Sequence, residues 1–424
     1  MTFRRIIYSL LLYLLLPLVL LRLLWRSKFN PAYRQRIPER LGFVSQDSQL
    51  PIIWLHAVSV GETIAARPLI ELILKDYPDY RLLVTTTTPT GSEQLKTLFS
   101  TRVAHVYFPY DLPDVISRFM RKINPVMLIV METEIWPNLY AACNKNEIPL
   151  LMLNARLSEK SVVGYSRFKA FVSETLANVD VISVRSTMDA ERFKRLGASE
   201  HKIKVLGNIK YDIQPNKQQI SIGQQRQKQW GVDRKVWIAA STHEGEDEEI
   251  LMTYEKLLDQ FPTLILVLVP RHPERFDDVY EMCQAIENKG IRTIRHSQVD
   301  TYANQNFNII LGDTMGIMQS WFAAADVVFV GGSLVPTGGH NPLEAILFGV
   351  PVVSGKYMFN FEDMLTTLGD SGLLTLSENT SELKQNIEAL LSEPNKTLLL
   401  EKSKEIMQQH RGVTARLIKL IGEY

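Results

Sequence analysis

The chain has 424 residues, of which 46% are hydrophobic and 22% charged, and its formal net charge is +1. This is the composition of a folded protein too long for one ordinary core, so two domains are expected, and the near-neutral balance excludes a global nucleic-acid binder. The two cysteines, Cys143 and Cys283, lie far apart, which excludes a disulfide framework and points to a reducing compartment. The N-terminus departs from the soluble pattern. Ile6 to Leu21 is sixteen residues without a charge, mostly leucine, and Leu23, Leu24 and Trp25 follow Arg22. A bilayer span takes about 17–25 apolar residues. Residues 1–28 therefore read as one anchoring or interfacial helix, with Arg22 snorkelling outward. No small-residue cleavage site follows. Six cations after the apolar run (Arg22, Arg26, Lys28, Arg34, Arg36, Arg40) against Arg4 and Arg5 before it predict that the main body faces the cytoplasm.

Beyond the anchor, apolar runs alternate with helical patterns, the signature of βαβ units and parallel sheets. Strands are predicted at residues 52–56, 81–85, 126–131, 150–153 and 179–183. A second series follows at 236–240, 264–269, 309–311, 327–330 and 350–353. The turn Ser59–Glu62 leads from the first strand into a helix reaching about Lys75. Residues 211–229 are rich in Gln and Lys and have the composition of a linker. The expected architecture is α/β: two Rossmann-like domains, 29–210 and 230–397, facing each other across a cleft. The basic helical segment 398–424 is expected to cross back to the first domain.

Open parallel sheets place their sites at the C-terminal ends of strands, and polar residues cluster there in both halves. Glu62 follows the first strand at a helix start; it either complements the helix dipole or serves as a general base. Glu132 and Glu134 end a buried strand, where carboxylates are costly as decoration. In the second half, Arg271 in Pro270–Arg275 suits bidentate pairing with an anion, and Gly312–Gly316 adds a glycine-bearing turn. The segment Gly331–Pro351 carries four early glycines (331, 332, 338 and 339) and a capping pattern, with Asn341 as N-cap, Pro342 at the first helical position and Glu344 beyond. A glycine-rich loop opening into a helix start suggests a phosphate site. Lys210, judged on its neighbours in sequence, reads as solvated. His56 and His243 lack partners at metal-ligand spacing, so no structural zinc is expected. No GxxxxGK[ST], GxGxxG with a downstream acid, strand-end Asp-x-Asp or GxSxG is present, which disfavours P-loop, dinucleotide, metal-diphosphate and hydrolase readings.

HAVSVGE at 56–62, METEIWPN at 131–138, NARLSEKS at 154–161 and GNIKYD at 207–212 resemble the Kdo (3-deoxy-D-manno-octulosonic acid) transferases of lipopolysaccharide synthesis. So do PRHPERF at 270–276, GDTMG at 312–316 and GGHNPLEA at 338–345. The resemblance implies a GT-B fold, CMP-Kdo as donor, a lipid A precursor (lipid IVA) as acceptor, and inverting transfer without a metal or other cofactor. It implies that Glu62 is the catalytic base and that Glu132 and Lys210 stabilise the transition state. It further implies that Pro270, Arg271, Met315, Gly316, Ile317, Asn341, Pro342, Leu343 and Glu344 contact CMP. Ile317 stands where many relatives have Glu. Two other readings are a GT-B transferase or epimerase using a UDP-sugar, and a non-catalytic membrane-tethered nucleotide-binding module. The carboxylates at strand ends weigh against the module.

Overall fold

Buried apolar runs form the strands, and each run ends where polar residues take over. The computed structural model describes residues 2–424 apart from Phe29, Gln46, Asp47, Ser59, Val232, Asn288, Lys289, Asn304, Gln305, Pro394 and the side chain of Val60. Ser59, the first residue of the predicted turn, thus lies outside the described residues. The chain divides into two units, one of residues 1–212 with 410–424 and one of residues 213–409.

In the first unit the strands are β1 (Ile52–His56), β2 (Arg81–Thr86), β3 (Ala104–Tyr107), β4 (Pro125–Met131), β5 (Leu150–Ala155), β6 (Val181–Val184) and β7 (Ile203–Val205). They form one seven-stranded sheet in the order β3-β2-β1-β4-β5-β6-β7, with every pairing parallel. The order reverses between β1 and β4, which makes that crevice the switch point where α/β sheets bind ligands. Helices cover both faces, around Trp54 and Phe119 on one side and Leu69, Ile70 and Ile129 on the other.

The second unit holds β8 (Val236–Thr242), β9 (Ile265–Pro270), β10 (Thr293–Arg295), β11 (Ile309–Leu311), β12 (Val327–Val330), β13 (Val352–Gly355) and β14 (Leu374–Ser377). Their order is β10-β11-β9-β8-β12-β13-β14, again all parallel. Here the switch point lies between β8 and β12.

Three segments differ from the sequence expectation. The polar stretch 211–229 is not a linker: Lys217–Trp230 is a helix that packs on the second unit. Gly223 approaches the Ser320 carbonyl closely. Arg226 donates to Ser320 Oγ at 2.7 Å and lies 3.9 Å from the centre of the Trp321 ring, while Trp230 stacks on that ring. The buried side is thus made partly by an arginine, which composition scores as polar. The segment 398–424 is not one helix but two parts. Lys396–His410 stays largely with the second unit, and Val413–Ile421 belongs to the first. Gly412 at φ 80° breaks between them, and the Asp212 carboxylate accepts the Gly412 and Thr414 N–H groups at 2.7 and 2.6 Å. Finally, the helix after Asn341 is a single turn, Leu343–Ile346.

The N-terminal helix Phe3–Arg26 is, among the described residues, the one helix long and apolar enough to cross a membrane. It rests on the first unit by a polar seam. Ser9 and Asn138 exchange hydrogen bonds at 3.1–3.3 Å, Tyr13 donates to Asp114, and Arg4 lies 3.6 Å from Glu174. Leu10, Leu14, Leu18, Leu21 and Trp25 remain exposed.

Candidate active site

Glu62 sits in the first turn of the helix Val60–Asp76, directly after β1. Its Oε2 accepts the Val58 N–H at 2.7 Å, so the carboxylate is folded back over the turn and held at the switch point. Glu132 follows β4, on the other side of that point. It has φ 59°, a left-handed conformation that a non-glycine residue keeps only under constraint. Its Oε1 accepts from Arg185, and its Oε2 lies 3.3 Å from Arg156 Nε. Burial pushes the Glu132 carboxyl up, but Arg185, Lys210 and Arg156 outweigh it and hold the group below the usual carboxylate range. Lys210, on the turn Ile209–Asp212, is therefore not solvated in isolation; it is half-buried and faces a carboxylate. Glu134, two residues on, has the opposite fate. Burial, with the Glu132 charge adding to it, raises it to about 7. Two neighbouring carboxylates with diverging environments are a common acid/base signature.

In the second unit, loops after β11, β9, β8 and β12 leave neighbouring strands at the same end of the sheet. Pro270 ends β9, and Arg271 follows it, its N–H donating to the Thr242 carbonyl at 3.0 Å. Asn341 Oδ1 accepts the Leu343 N–H at 3.2 Å, but the N-cap of this very short helix is Pro342 (φ −75°, ψ −23°), one residue later than expected. Burial raises the Glu344 carboxyl, with Asn341 and Arg271 pulling it back. Arg271, Asn341 and Glu344 are thus brought together. Met315 is exposed on the loop after β11, Gly316 accepts a hydrogen bond from Gln219 at 2.9 Å, and the Ile317 carbonyl accepts the Ser320 N–H at 3.0 Å. That loop stands on the strand next to β9.

The glycine-rich loop has a different use from the one its composition suggested. The buried Glu246 carboxylate accepts the N–H groups of Gly332, Ser333 and Leu334 at 2.7–2.9 Å, and that of His243 at 2.8 Å. The nest of amides is filled by the protein's own anion. Gly331 is required because a Cβ there would strike the Ser241 carbonyl, and Gly332 because its φ is +69°. A single-turn helix also carries little dipole. Glu246 was missed by sequence reading, since nothing in Glu244-Gly-Glu246 tells the buried acid from the exposed one. His243 and His340 stack with their Nε2 atoms 2.8 Å apart, so one donates to the other. His56 is buried, hydrogen-bonded to Thr85 and stacked on Phe108, and burial lowers it to about 3. Among the described residues, no group of three or more His, Cys, Asp or Glu side chains is placed to hold a metal ion.

Two seven-stranded parallel α/β units, with polar residues gathered at the strand ends of each, define a GT-B-type protein. The Anabaena protein HepE, solved in complex with UDP, matches 88% of this chain and 100% of its own with a TM-score of 0.59 at 17% identity. A UDP-GlcNAc 2-epimerase from Neisseria meningitidis, bound to UDP-GlcNAc, matches the same shares with a TM-score of 0.58 at 14% identity. These likenesses establish the fold. For the family, the profile described as 3-deoxy-D-manno-octulosonic-acid transferase (kdotransferase) matches residues 35–213. The 3-deoxy-D-manno-octulosonic acid transferase of Haemophilus influenzae is 40% identical, covering 99% of this chain and 98% of its own. The chain belongs to the Kdo transferase family and is a glycosyltransferase.

Proposed function

We propose that this enzyme transfers Kdo from CMP-Kdo to a lipid A precursor of the lipid IVA type, with inversion and without a metal ion. Glu62 is the general base that takes the proton of the acceptor hydroxyl. Glu132 and Lys210 stabilise the charge that develops during transfer. The CMP moiety rests on Pro270, Arg271, Met315 to Ile317 and Asn341 to Glu344. The observation that carries this reading is the placement of Glu62 at the first sheet's switch point, fixed by the Val58 N–H. A base held in one geometry contributes on the order of 10²–10⁴-fold to rate. Inversion requires base and leaving group on opposite faces of the sugar, and the proposed base and nucleotide contacts belong to different units. CMP leaves as a monophosphate ester, a charge that arginine and lysine meet without a divalent ion. The filled amide nest shifts the anion-binding role from the glycine loop to Arg271.

The helix Phe3–Arg26 serves as the anchor, and its docked polar seam and exposed leucines support an interfacial placement on the cytoplasmic face of the inner membrane. Arg22, Arg26, Lys28 and Arg34 would then meet lipid phosphates. The test is mass spectrometry of a lipid IVA-type acceptor incubated with CMP-Kdo and EDTA, using wild type and Glu62→Gln. A gain of Kdo mass in wild type, slowed at least about 100-fold in the variant, is expected. No gain with CMP-Kdo, but turnover of a UDP-sugar, would replace this reading with that of the structural neighbours.

A further inference from the structure

Arg185 and Asn154 have no role in the reading above, yet both are buried polar residues at strand ends of the first unit. Arg185 follows β6 and is 5% exposed; Asn154 lies in β5 and is fully buried. Asn154 has φ 55°, so with Glu132 there are two left-handed non-glycine residues at the ends of neighbouring strands. β5 also shifts register against β6 between Met152 and Ala155. Strain of this kind persists only where surrounding bonds enforce it, and here Arg185 joins both strained residues. Arg185 donates through Nη2 to Glu132 Oε1 and through Nε to the Asn154 carbonyl at 3.2 Å. Asn154 in turn accepts the Ile209 N–H through Oδ1 at 3.0 Å, and Ile209 is the residue before Lys210. A continuous set of bonds thus runs from the Glu132 carboxylate to the turn that carries Lys210.

We propose that Arg185 and Asn154 are positioning residues that set Glu132 and Lys210 in register for the transfer step. This rests on the proposed roles of Glu132 and Lys210. A merely structural arginine would be expected to satisfy its own hydrogen bonds. Among the described residues, Arg185 Nη1 and Asn154 Nδ2 are buried with no hydrogen-bond partner. A fork with two fixed donors, rather than a point charge, is what holding a carboxylate and a carbonyl together demands. The charged groups around Glu132 are Arg185, Arg156, Lys210 and Glu134.

The experiment is a double-mutant cycle on the full-length enzyme, with Glu132→Gln, Arg185→Met, Arg185→Lys and the double variant Glu132→Gln/Arg185→Met. Steady-state kinetics are measured from pH 5 to 9 beside thermal unfolding. Arg185→Met is expected to lower kcat by about 10–100-fold, as removal of outer support for a reacting group does. Donor and acceptor KM should stay within about twofold, and the acidic limb of the kcat profile should move upward as Glu132 loses its cation. The double variant should be no slower than Glu132→Gln alone. Arg185→Lys keeps the charge but not the fork, so its kcat should fall while the acidic limb stays in place. This second variant carries the test if Arg185→Met does not fold. Additive losses, or an Arg185→Met enzyme with wild-type kcat and limb, would overturn the proposal while leaving Glu132 in place. If Glu132→Gln retains full activity, the reading of Glu132 falls, and this inference with it.

Discussion

The strand ends of the two sheets solve the same problem with different materials. In the first unit, charged side chains are held on strained backbone: Glu132 and Asn154 are left-handed, and Arg185 spans them. In the second, the backbone itself is the building material. Glycines fold a loop whose amides close on Glu246, and the cation Arg271 stands to one side. Side-chain sites tolerate substitution structurally and lose rate. Backbone sites lose their shape first. The two halves should therefore fail differently under equivalent changes.

The largest effect is expected at Glu246. Removing a buried carboxylate that accepts four backbone N–H groups leaves donors unsatisfied at roughly 1–3 kcal/mol each. Glu246→Ala should destabilise the second unit by several kcal/mol, read by urea denaturation, and CMP binding should disappear in calorimetry. A variant that binds CMP as wild type does would show that the nest does not shape the nucleotide contacts.

Titration should mark the first unit next. Glu134 is raised from 4.5 to about 7 by burial, so its folded state favours the proton. Its contribution to stability is fully present below pH 4.5 and is lost as pH rises through about 7. The melting temperature of Glu134→Gln should therefore rise relative to that of the wild type between pH 5 and 8. Asp111, also raised to about 7 by burial, should act in the same sense; a Glu134→Gln/Asp111→Asn enzyme whose difference from wild type is flat from pH 5 to 8 would contradict this account.

The smallest pair of effects has opposite signs. Gly331→Ala drives a Cβ into the Ser241 carbonyl and should cost about 1–3 kcal/mol. Gly164→Ala, in the helix Glu159–Ser166 with nothing near its Cβ, should stabilise by about 0.5–1 kcal/mol. Chemical denaturation of both variants would check the contrast, and equal signs would remove the distinction between the loop and an ordinary helix.

Legibility in the sequence followed burial. All ten predicted strands exist, because interior strands of parallel sheets are continuous apolar runs. The four strands not predicted, β3, β7, β10 and β14, are the four sheet edges. They are only three or four residues long, and partly exposed positions interrupt their apolar pattern. The resemblance that located the family rested on loop motifs at the strand ends. Glu246 and Arg185 escaped notice because their importance lies in partners far along the chain. Glu246 closes on residues 332–334, and Arg185 on Glu132 and Asn154. The helix Lys217–Trp230 was hidden by a buried arginine, the kind of residue that composition assigns to solvent.

The return of residues 410–424 to the first unit has a consequence for biosynthesis. Val413, Leu417, Leu420 and Ile421 pack against Leu69, Ile70 and Ile73 in its core, and Asp212 caps their helix. A ribosome delivers Leu69 some 350 residues before Ile421, at about 5–20 residues per second. The second unit, complete at residue 409, is therefore assembled inside the interval during which the first still waits for its last helix. For that time the part of the first unit's apolar core that this helix covers stays open. The first unit's core is thus closed only after the whole of the second unit has been made.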